Sequence, residues 1–366
     1  MSDSDFSHPP LEVTAVPPGQ KIVRPYALPQ LRPGEFYVEP VDPASLGRGP
    51  VYCIEDSDQF DYYAYRVRAM VYAGKTRHQN VVIADTYNYG RTLFMDGSVQ
   101  SSADDESLYH EMLAQPAMLA HENPRNVLII GAGEGAAVRE VLAHKSVRHV
   151  TMVDIDREAV EICREFLPAW HQGAFEDHRA HLVFEDGRRF VEATDDRYDV
   201  VLVDVVDMFD NGPAQDLYTR QFYELLRTRL RPNGIVGIQG LEFSFQDYKE
   251  HVAVARTLRT VFPQVHSYRV AIPSFLGTWG FFLASDWASP KTWQPELIDR
   301  QIENRLGNDW MEHLTGEFLI SSFVHCKETN HFLAQSGPIL EDGVPFVPPP
   351  DIEDVEPSHA KLPALD

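Results

Sequence analysis

Asn126-Val-Leu-Ile-Ile-Gly-Ala-Gly-Glu-Gly135 is the stretch that decides the architecture. Val127 to Ile130 are apolar and mostly β-branched, the composition of a strand buried on both faces. Glycines at 131, 133 and 135 let the chain turn sharply at the strand's end, and helical spacing over Ala136 to Ala143 follows at once. A buried strand, a glycine turn and a helix open a doubly wound α/β unit, whose ligands sit beyond the carboxyl ends of the strands.

The same rhythm continues downstream. Val150 to Val153, His181 to Phe184, Tyr198 to Val203 and Gly234 to Gln239 read as strands, and Glu158 to Leu167, Gln215 to Leu230 and Phe245 to Val261 as helices. Upstream, Asp105 to His121 carries Leu108, Met112, Leu113, Met118 and Leu119 at helical spacing. The expectation is a parallel sheet covered on both faces. Before residue 105 the pattern is different: Asp61 to Met70, Asn80 to Ile83 and Thr92 to Met95 read as strands joined by turns such as Tyr89-Gly90 and Asp96-Gly97. The predicted organisation is therefore a small antiparallel β-domain over 51–104 and a Rossmann-like domain of the class I methyltransferase type over 105–335. A proline-rich, extended or disordered segment over 1–50 precedes them, and an acidic, proline-rich tail over 336–366 follows.

Composition narrows the function. The chain has 366 residues, 43% hydrophobic and 24% charged, as in an ordinary globular protein. Its 55 acidic against 32 basic residues give a formal net charge of -23. That field repels nucleic acid and anionic membranes and concentrates cations. No apolar run approaches the ~18 residues that cross a bilayer. Met1 to Pro10 lacks the basic and apolar regions of a secretory signal. Three scattered cysteines, Cys53, Cys163 and Cys326, suit buried thiols in a reducing cytoplasm rather than disulfides or a thiolate metal site.

Acidic residues gather where ligands should sit. Asp154 ends the second strand, where a carboxylate accepts from both ribose hydroxyls. Glu134 lies inside the glycine loop: an anion there opposes a pyrophosphate and favours a positively charged ligand such as a sulfonium nucleoside. The plainer reading of Glu134 is a solvated first-turn acid. Asp186-Gly187 follows the third strand, within reach of an adenine amino group. Asp204 ends the fourth, and Asp207 comes three residues on. One such aspartate is usually a helix cap, but five acids at one sheet edge would repel one another without a cation to balance them. His171, His178 and His181 read as surface histidines on a polar linker, and no metal is expected.

Four stretches together resemble the polyamine aminopropyltransferases, the spermidine, spermine and thermospermine synthases. They are Tyr89-Gly-Arg-Thr-Leu-Phe-Met-Asp-Gly97 continuing through Gln100 to Asp105-Glu106 and Tyr109-His110-Glu111; Val127 to Gly135; Asp204-Val-Val-Asp207 with Gly212-Pro213 and Leu217-Tyr218; and Ile272-Pro-Ser-Phe-Leu-Gly-Thr-Trp-Gly280. They cover roughly residues 60–290, in the family's order and spacing. Within the family the chain is most similar to the thermospermine synthase type, with Glu134 in the loop, Asp154 at the second strand and Phe275 where spermidine synthases usually carry Tyr. Met208, where a proline is common, departs from the pattern.

The resemblance implies decarboxylated S-adenosylmethionine as co-substrate, with no prosthetic group or metal. It implies a polyamine acceptor, most readily spermidine, and methylthioadenosine as second product. By motif, Gln79, Gly131, Gly133, Asp154, Asp186, Gly187 and Pro213 would line the nucleoside site, and Glu134 would hold the donor's ammonium. Gln100, Tyr109, His110, Asp207, Gln239 and Phe275 would face the polyamine, and Asp204 would be the general base. A cytoplasmic homodimer or homotetramer is the expected assembly. Three alternatives stay open on the sequence: a synthase acting on putrescine or agmatine, a methyltransferase using intact S-adenosylmethionine, and an inactive polyamine-binding relative.

Overall fold

A computed structural model describes residues 36–38, 51–56, 62–207, 214–307 and 310–346. The expected extended segments over 1–35, 39–50 and 347–366 lie outside the described residues, as do Met208, Gly212 and Pro213.

Six strands form an antiparallel meander: β1 (Phe36–Val38), β2 (Val51–Asp56), β3 (Tyr62–Lys75), β4 (Asn80–Thr86), β5 (Arg91–Met95) and β6 (Ser98–Ser102). The β5–β6 hairpin turns on Asp96 and Gly97, both at positive φ (48° and 95°), the two-residue turn that matches strand twist. The predicted strand over Asp61 to Met70 runs five residues further in β3, because β4 pairs with it as far as Lys75–Asn80.

The rest of the chain builds a seven-stranded sheet. In chain order the elements are α1 (Glu106–Ala120), β7 (Asn126–Gly131), α2 (Ala136–Leu142), β8 (His149–Asp154), α3 (Arg157–Phe166), α4 (Pro168–His171), β9 (Ala180–Phe184), α5 (Gly187–Ala193) and β10 (Tyr198–Asp204). They continue through α6 (Arg220–Thr228), β11 (Leu230–Glu242), α7 (Lys249–Val261), β12 (Gln264–Ile272), β13 (Gly277–Ser285), α8 (Pro295–Arg305), α9 (Gly316–Ser322) and α10 (Lys327–Ala334). The strand order is β12-β13-β11-β10-β7-β8-β9. β7 to β11 are parallel, as expected, and β12 and β13 are antiparallel. β12 and β13 were not among the strands expected from the sequence; four residues join them, far too few for a parallel crossover, so they pair antiparallel. The predicted helix over Gln215 to Leu230 also breaks: Thr219 caps α6 by accepting from the Phe222 amide, and Leu230 already belongs to β11.

Alternate residues of each central strand feed two cores. Val127, Ile129, Val200 and Leu202 pack with Met112, Leu113 and Val138 of α1 and α2. Leu128, Ile130, Val201 and Val203 pack with Phe222, Leu226, Val254 and Leu258 of α6 and α7. Truncating any one of these to alanine would cost about 2–5 kcal/mol. Pro116 sits inside α1, where it cannot donate to the Met112 carbonyl; the Tyr268 hydroxyl of β12 donates to that carbonyl instead, at 2.9 Å. The meander docks through Val81, Ile83 and Leu93 onto Ala159 and Cys163 of α3. Asp105 ties the junction to the turn after β12, accepting from the Ser274 amide (2.7 Å) and hydroxyl (2.8 Å).

Three smaller expectations change. Cys326 is exposed, unlike Cys53 and Cys163, because it caps the amino end of α10 at the surface. His171 is buried against Phe175 rather than solvated, while His178 and His181 are exposed. The first part of the acidic tail is packed: Leu340 and Phe346 are buried, and Asp342 pairs with Arg188.

Candidate active site

A cleft of about 410 Å³ opens at the carboxyl ends of β7, β8 and β10 and is roofed by the meander. Gln79, Gln100, Tyr109, Gly131, Gly133, Glu134, Asp154, Asp186, Gly187, Asp204, Asp207, Gln239 and Phe275 all line it. Among the described residues singled out from the sequence, His110 is the one set behind the wall rather than in it.

The glycine loop sets the floor. Gly131 has φ +85°, and a Cβ there would lie 2.0 Å from the Asp204 carbonyl, so no other residue fits. The Ala132 amide donates to that same carbonyl at 3.0 Å, which locks the loop to the end of β10. A Cβ at Gly133 would sit 3.1 Å from Asp154 Oδ2, so glycine keeps the Asp154 carboxylate open to a ligand. Asp154 Oδ1 accepts from the Asp156 amide. Asp156 caps α3 and also accepts from Gln79 Nε2 at 3.1 Å, which fixes Gln79 at the rim. Asp186 caps α5 through Oδ1, so its other oxygen is the one left for a ligand.

Asp204 lies at the bottom, accepting from the Tyr109 hydroxyl at 2.8 Å. Burial pushes its carboxyl up to about 7, with the Glu134 charge adding to the shift and the His110 charge opposing it. Burial also raises Asp207 to about 7, with the charges of Asp247 and Glu242 contributing, and Asp154 to about 6. Three carboxylates poised near neutrality in one cleft describe a site that needs cationic ligands to ionise fully.

His110 is positioned differently from the expectation. Its ring is fully buried, with Nδ1 2.6 Å from the Glu106 carbonyl and Nε2 3.1 Å from Glu134 Oε1. Burial opposes its charge, yet the bonds to Glu106 and Glu134 win and raise it to about 10. It supports Glu134 from behind and does not reach the cleft. Gln239 also turns inward: Nε2 donates to the Val205 carbonyl (2.7 Å) and the Tyr218 hydroxyl (2.6 Å), and Oε1 accepts from Leu241 and Trp279. Both amide protons are engaged, and Gln239 forms part of the cleft wall beside Asp207.

Two residues escaped the sequence reading. Trp279 lines the cleft, packs edge-on to Phe275 at 4.9 Å and donates to Gln239 at 3.0 Å. Its place within the Ile272 to Gly280 stretch was the available signal. Glu55 of β2 accepts from the Tyr65 hydroxyl, and burial raises it to about 7, with the Asp207 charge adding. No local pattern marks it, because only the folded meander carries it toward Asp207.

The geometry defines an acid-lined cleft at the carboxyl edge of a Rossmann-like sheet, and sequence comparison identifies its class. Residues 106–292 match the spermine/spermidine synthase domain, and residues 53–102 match the spermidine synthase tetramerisation domain. The chain is 62% identical over 338 residues to polyamine aminopropyltransferase 2 of Pseudomonas aeruginosa, covering 92% of this chain and 97% of that one. It is 44% identical over 240 residues to polyamine aminopropyltransferase 2 of Hyperthermus butylicus, covering 66% and 78%. The spermidine synthase of Thermotoga maritima superposes with a TM-score of 0.70 at 27% identity, over 77% of this chain and 94% of that chain. A spermidine synthase in complex with the transition state analogue AdoDATO gives a TM-score of 0.71, again at 27% identity and with the same coverage. The chain belongs to the spermine/spermidine synthase family and is a polyamine aminopropyltransferase. No helix among the described residues is long and apolar enough to cross a membrane.

Proposed function

We propose that this enzyme moves the aminopropyl group of decarboxylated S-adenosylmethionine to spermidine, yielding thermospermine or spermine together with methylthioadenosine. The observation that carries the reading is the placement of Asp204, held by Tyr109 on the cleft floor beside Glu134, with Asp207 three residues on.

Asp154 and Gln79 suit the ribose of the donor, Asp186 its base, and Glu134 its terminal ammonium. The acceptor nitrogen attacks the carbon next to the sulfonium. The C–N bond forms, the C–S bond breaks with its electron pair going to sulfur, and a neutral thioether leaves. Only an unprotonated amine attacks, yet a primary amine has a pKa near ~10.4, so at pH 7 on the order of one in a thousand or fewer is ready. Asp204 takes the proton, and a carboxyl poised at about 7 suits a base working near neutral pH. Asp207 holds a second ammonium of the acceptor, and the Phe275 and Trp279 rings bound its methylene chain.

A triamine is favoured by acids beyond Asp207. Its carboxyl feels the charges of Asp247 and Glu242, and Glu55 feels Asp207 in turn. Glu242 and Asp247 also line a neighbouring cavity of about 670 Å³. Assembly through the meander into a homodimer or homotetramer accords with the domain matched by residues 53–102.

The test is a product assay with the proposed donor and a panel of putrescine, agmatine and spermidine, with thermospermine and spermine separated by chromatography. A tetraamine from spermidine, absent with Asp204→Asn, supports the reading. Preferential turnover of putrescine would replace the acceptor, and full activity in Asp204→Asn would remove the base.

A further inference from the structure

Behind the cleft wall runs a chain of alternating charges that reaches the cleft only at its last member, Glu134. Arg139 of α2 grips Glu106 of α1 in a fork, with Nη1–Oε1 at 2.8 Å and Nη2–Oε2 at 3.1 Å. Glu106 meets His110 Nδ1 through its carbonyl at 2.6 Å and its carboxylate at 3.2 Å. His110 Nε2 meets Glu134 Oε1 at 3.1 Å, and Glu134 faces the cleft. Arg139 is anchored further by the Trp170 carbonyl at 2.7 Å and by Glu140 at 3.0 Å.

Every atom facing the two ring nitrogens of His110 is an acceptor. A neutral imidazole donates from one nitrogen only, and its other lone pair would face oxygen in a buried site. The imidazolium donates at both ends. The groups around it are Glu106 and Tyr109 on α1, Glu134 after β7, Asp204 at the end of β10, and Arg139 beyond Glu106. Atoms of His110, Glu134 and Asp204 lie within 4.8 Å of one another, so two carboxylates share one cation and would otherwise repel. Burial works against the Glu106 charge, but the hydrogen bonds from His110 and then from Arg139 outweigh it and hold Glu106 below its ordinary carboxylate range; Glu106 itself is absent from the cleft lining.

We propose that Glu106 is a positioning residue for the aminopropyl donor: pinned by Arg139, it keeps His110 doubly protonated, and the His110 Nε2–H aims the Glu134 carboxylate into the cleft. The inference rests on Glu134 as the group that meets the donor's ammonium. Loss of the Glu106 charge lets His110 shed its proton, and Glu134 then loses its donor and its orientation. The defect therefore grows as pH rises, falls on ligands that carry the ammonium, and spares those that lack it.

The experiment uses the full chain with labelled histidine rings, His110 being assigned from the spectrum of His110→Gln. Wild type shows an imidazolium at pH 8.5, and Glu106→Gln a neutral ring. Calorimetry with decarboxylated S-adenosylmethionine gives binding about tenfold weaker in Glu106→Gln at pH 8.5, with the deficit shrinking toward pH 6. Binding of methylthioadenosine, which has no ammonium, changes less than about twofold. Arg139→Gln serves as a second variant, with the same sign. A neutral His110 in wild type at pH 8.5, equal weakening of both ligands, or a deficit independent of pH overturns the proposal. Wild type that binds neither ligand would instead sink the donor reading, while the ring spectrum still decides the charge chain.

Discussion

His110 and His251 are both fully buried, on opposite faces of one sheet, and their surroundings favour opposite protonation states, imidazolium for His110 and neutral imidazole for His251. His110 on α1 is flanked by two glutamates and rises to about 10. His251 on α7 is stacked between Phe243 and Phe282, with ring centres at 4.1 and 4.2 Å. Its nitrogens face the Gly240 carbonyl (2.7 Å) and the Ser267 hydroxyl (2.8 Å), which can donate as well as accept, and burial lowers it to about 3. Burial disfavours charge at both sites, so the neighbours decide. The buried histidine of the α1 face sits between two carboxylates and is charged, while that of the α7 face sits between two aromatic rings and is neutral.

The largest effect should separate the faces by activity. Asp204→Asn should lose about 10³-fold or more in kcat/KM, the scale of a removed general base in a positioned pair. His251→Gln should stay within about threefold of wild type in steady-state assays while losing about 1–3 kcal/mol of stability for its disturbed bonds. Comparable losses of activity in both would break the comparison.

Opposite pH signs come next. The folded state depresses His251, so its stabilisation is present above pH 6.5 and is lost as pH falls toward 3. The wild-type advantage over His251→Gln should shrink by about 1.6 kcal/mol between pH 6.5 and 5, close to sixteenfold in the unfolding constant. His110 is raised, so its stabilisation is complete below pH 6.5 and is lost as pH rises toward 10. The advantage over His110→Gln should shrink by a similar amount between pH 7 and 8.5. Denaturant melts across that range read both, and equal signs would refute the assignment of charge.

A smaller effect sharpens the catalytic side. Burial pushes Asp204 up to about 7, and as the proposed base it would act only when ionised. Below that value kcat/KM should fall about tenfold per pH unit, and more steeply if Asp207 must ionise too. A flat profile from pH 5 to 8 would deny the base its role. The smallest change is expected from salt: the acceptor's KM should rise about two- to fivefold between 50 and 500 mM salt, as the acidic cleft is screened. A KM indifferent to salt would confine the electrostatics to direct contacts.

What was legible from the chain follows the range of the interactions involved. Gly131, Glu134, Asp154, Asp186 and Asp204 sit at strand ends, and in a parallel sheet every such end points to the same edge. Reading the strands locally therefore assembled most of the cleft. His110 was placed on the correct element but given the wrong direction, because its partner Glu134 lies 24 residues away; Gln239 lines the cleft as expected, while its bond to the Val205 carbonyl, 34 residues away, was not foreseen. Glu55 and the antiparallel edge formed by β12 and β13 depend on pairings that no periodicity reveals.

By itself the sequence determined the doubly wound core, the glycine turn at Gly131 and the row of acids, since apolar alternation and backbone freedom are local properties. Only the tertiary structure decided the surroundings that set the charge of those acids and of the buried histidines. Ionisation depends on what burial brings within a few ångströms: Arg139 and Glu106 behind His110, Tyr109 over Asp204, and two aromatic rings around His251.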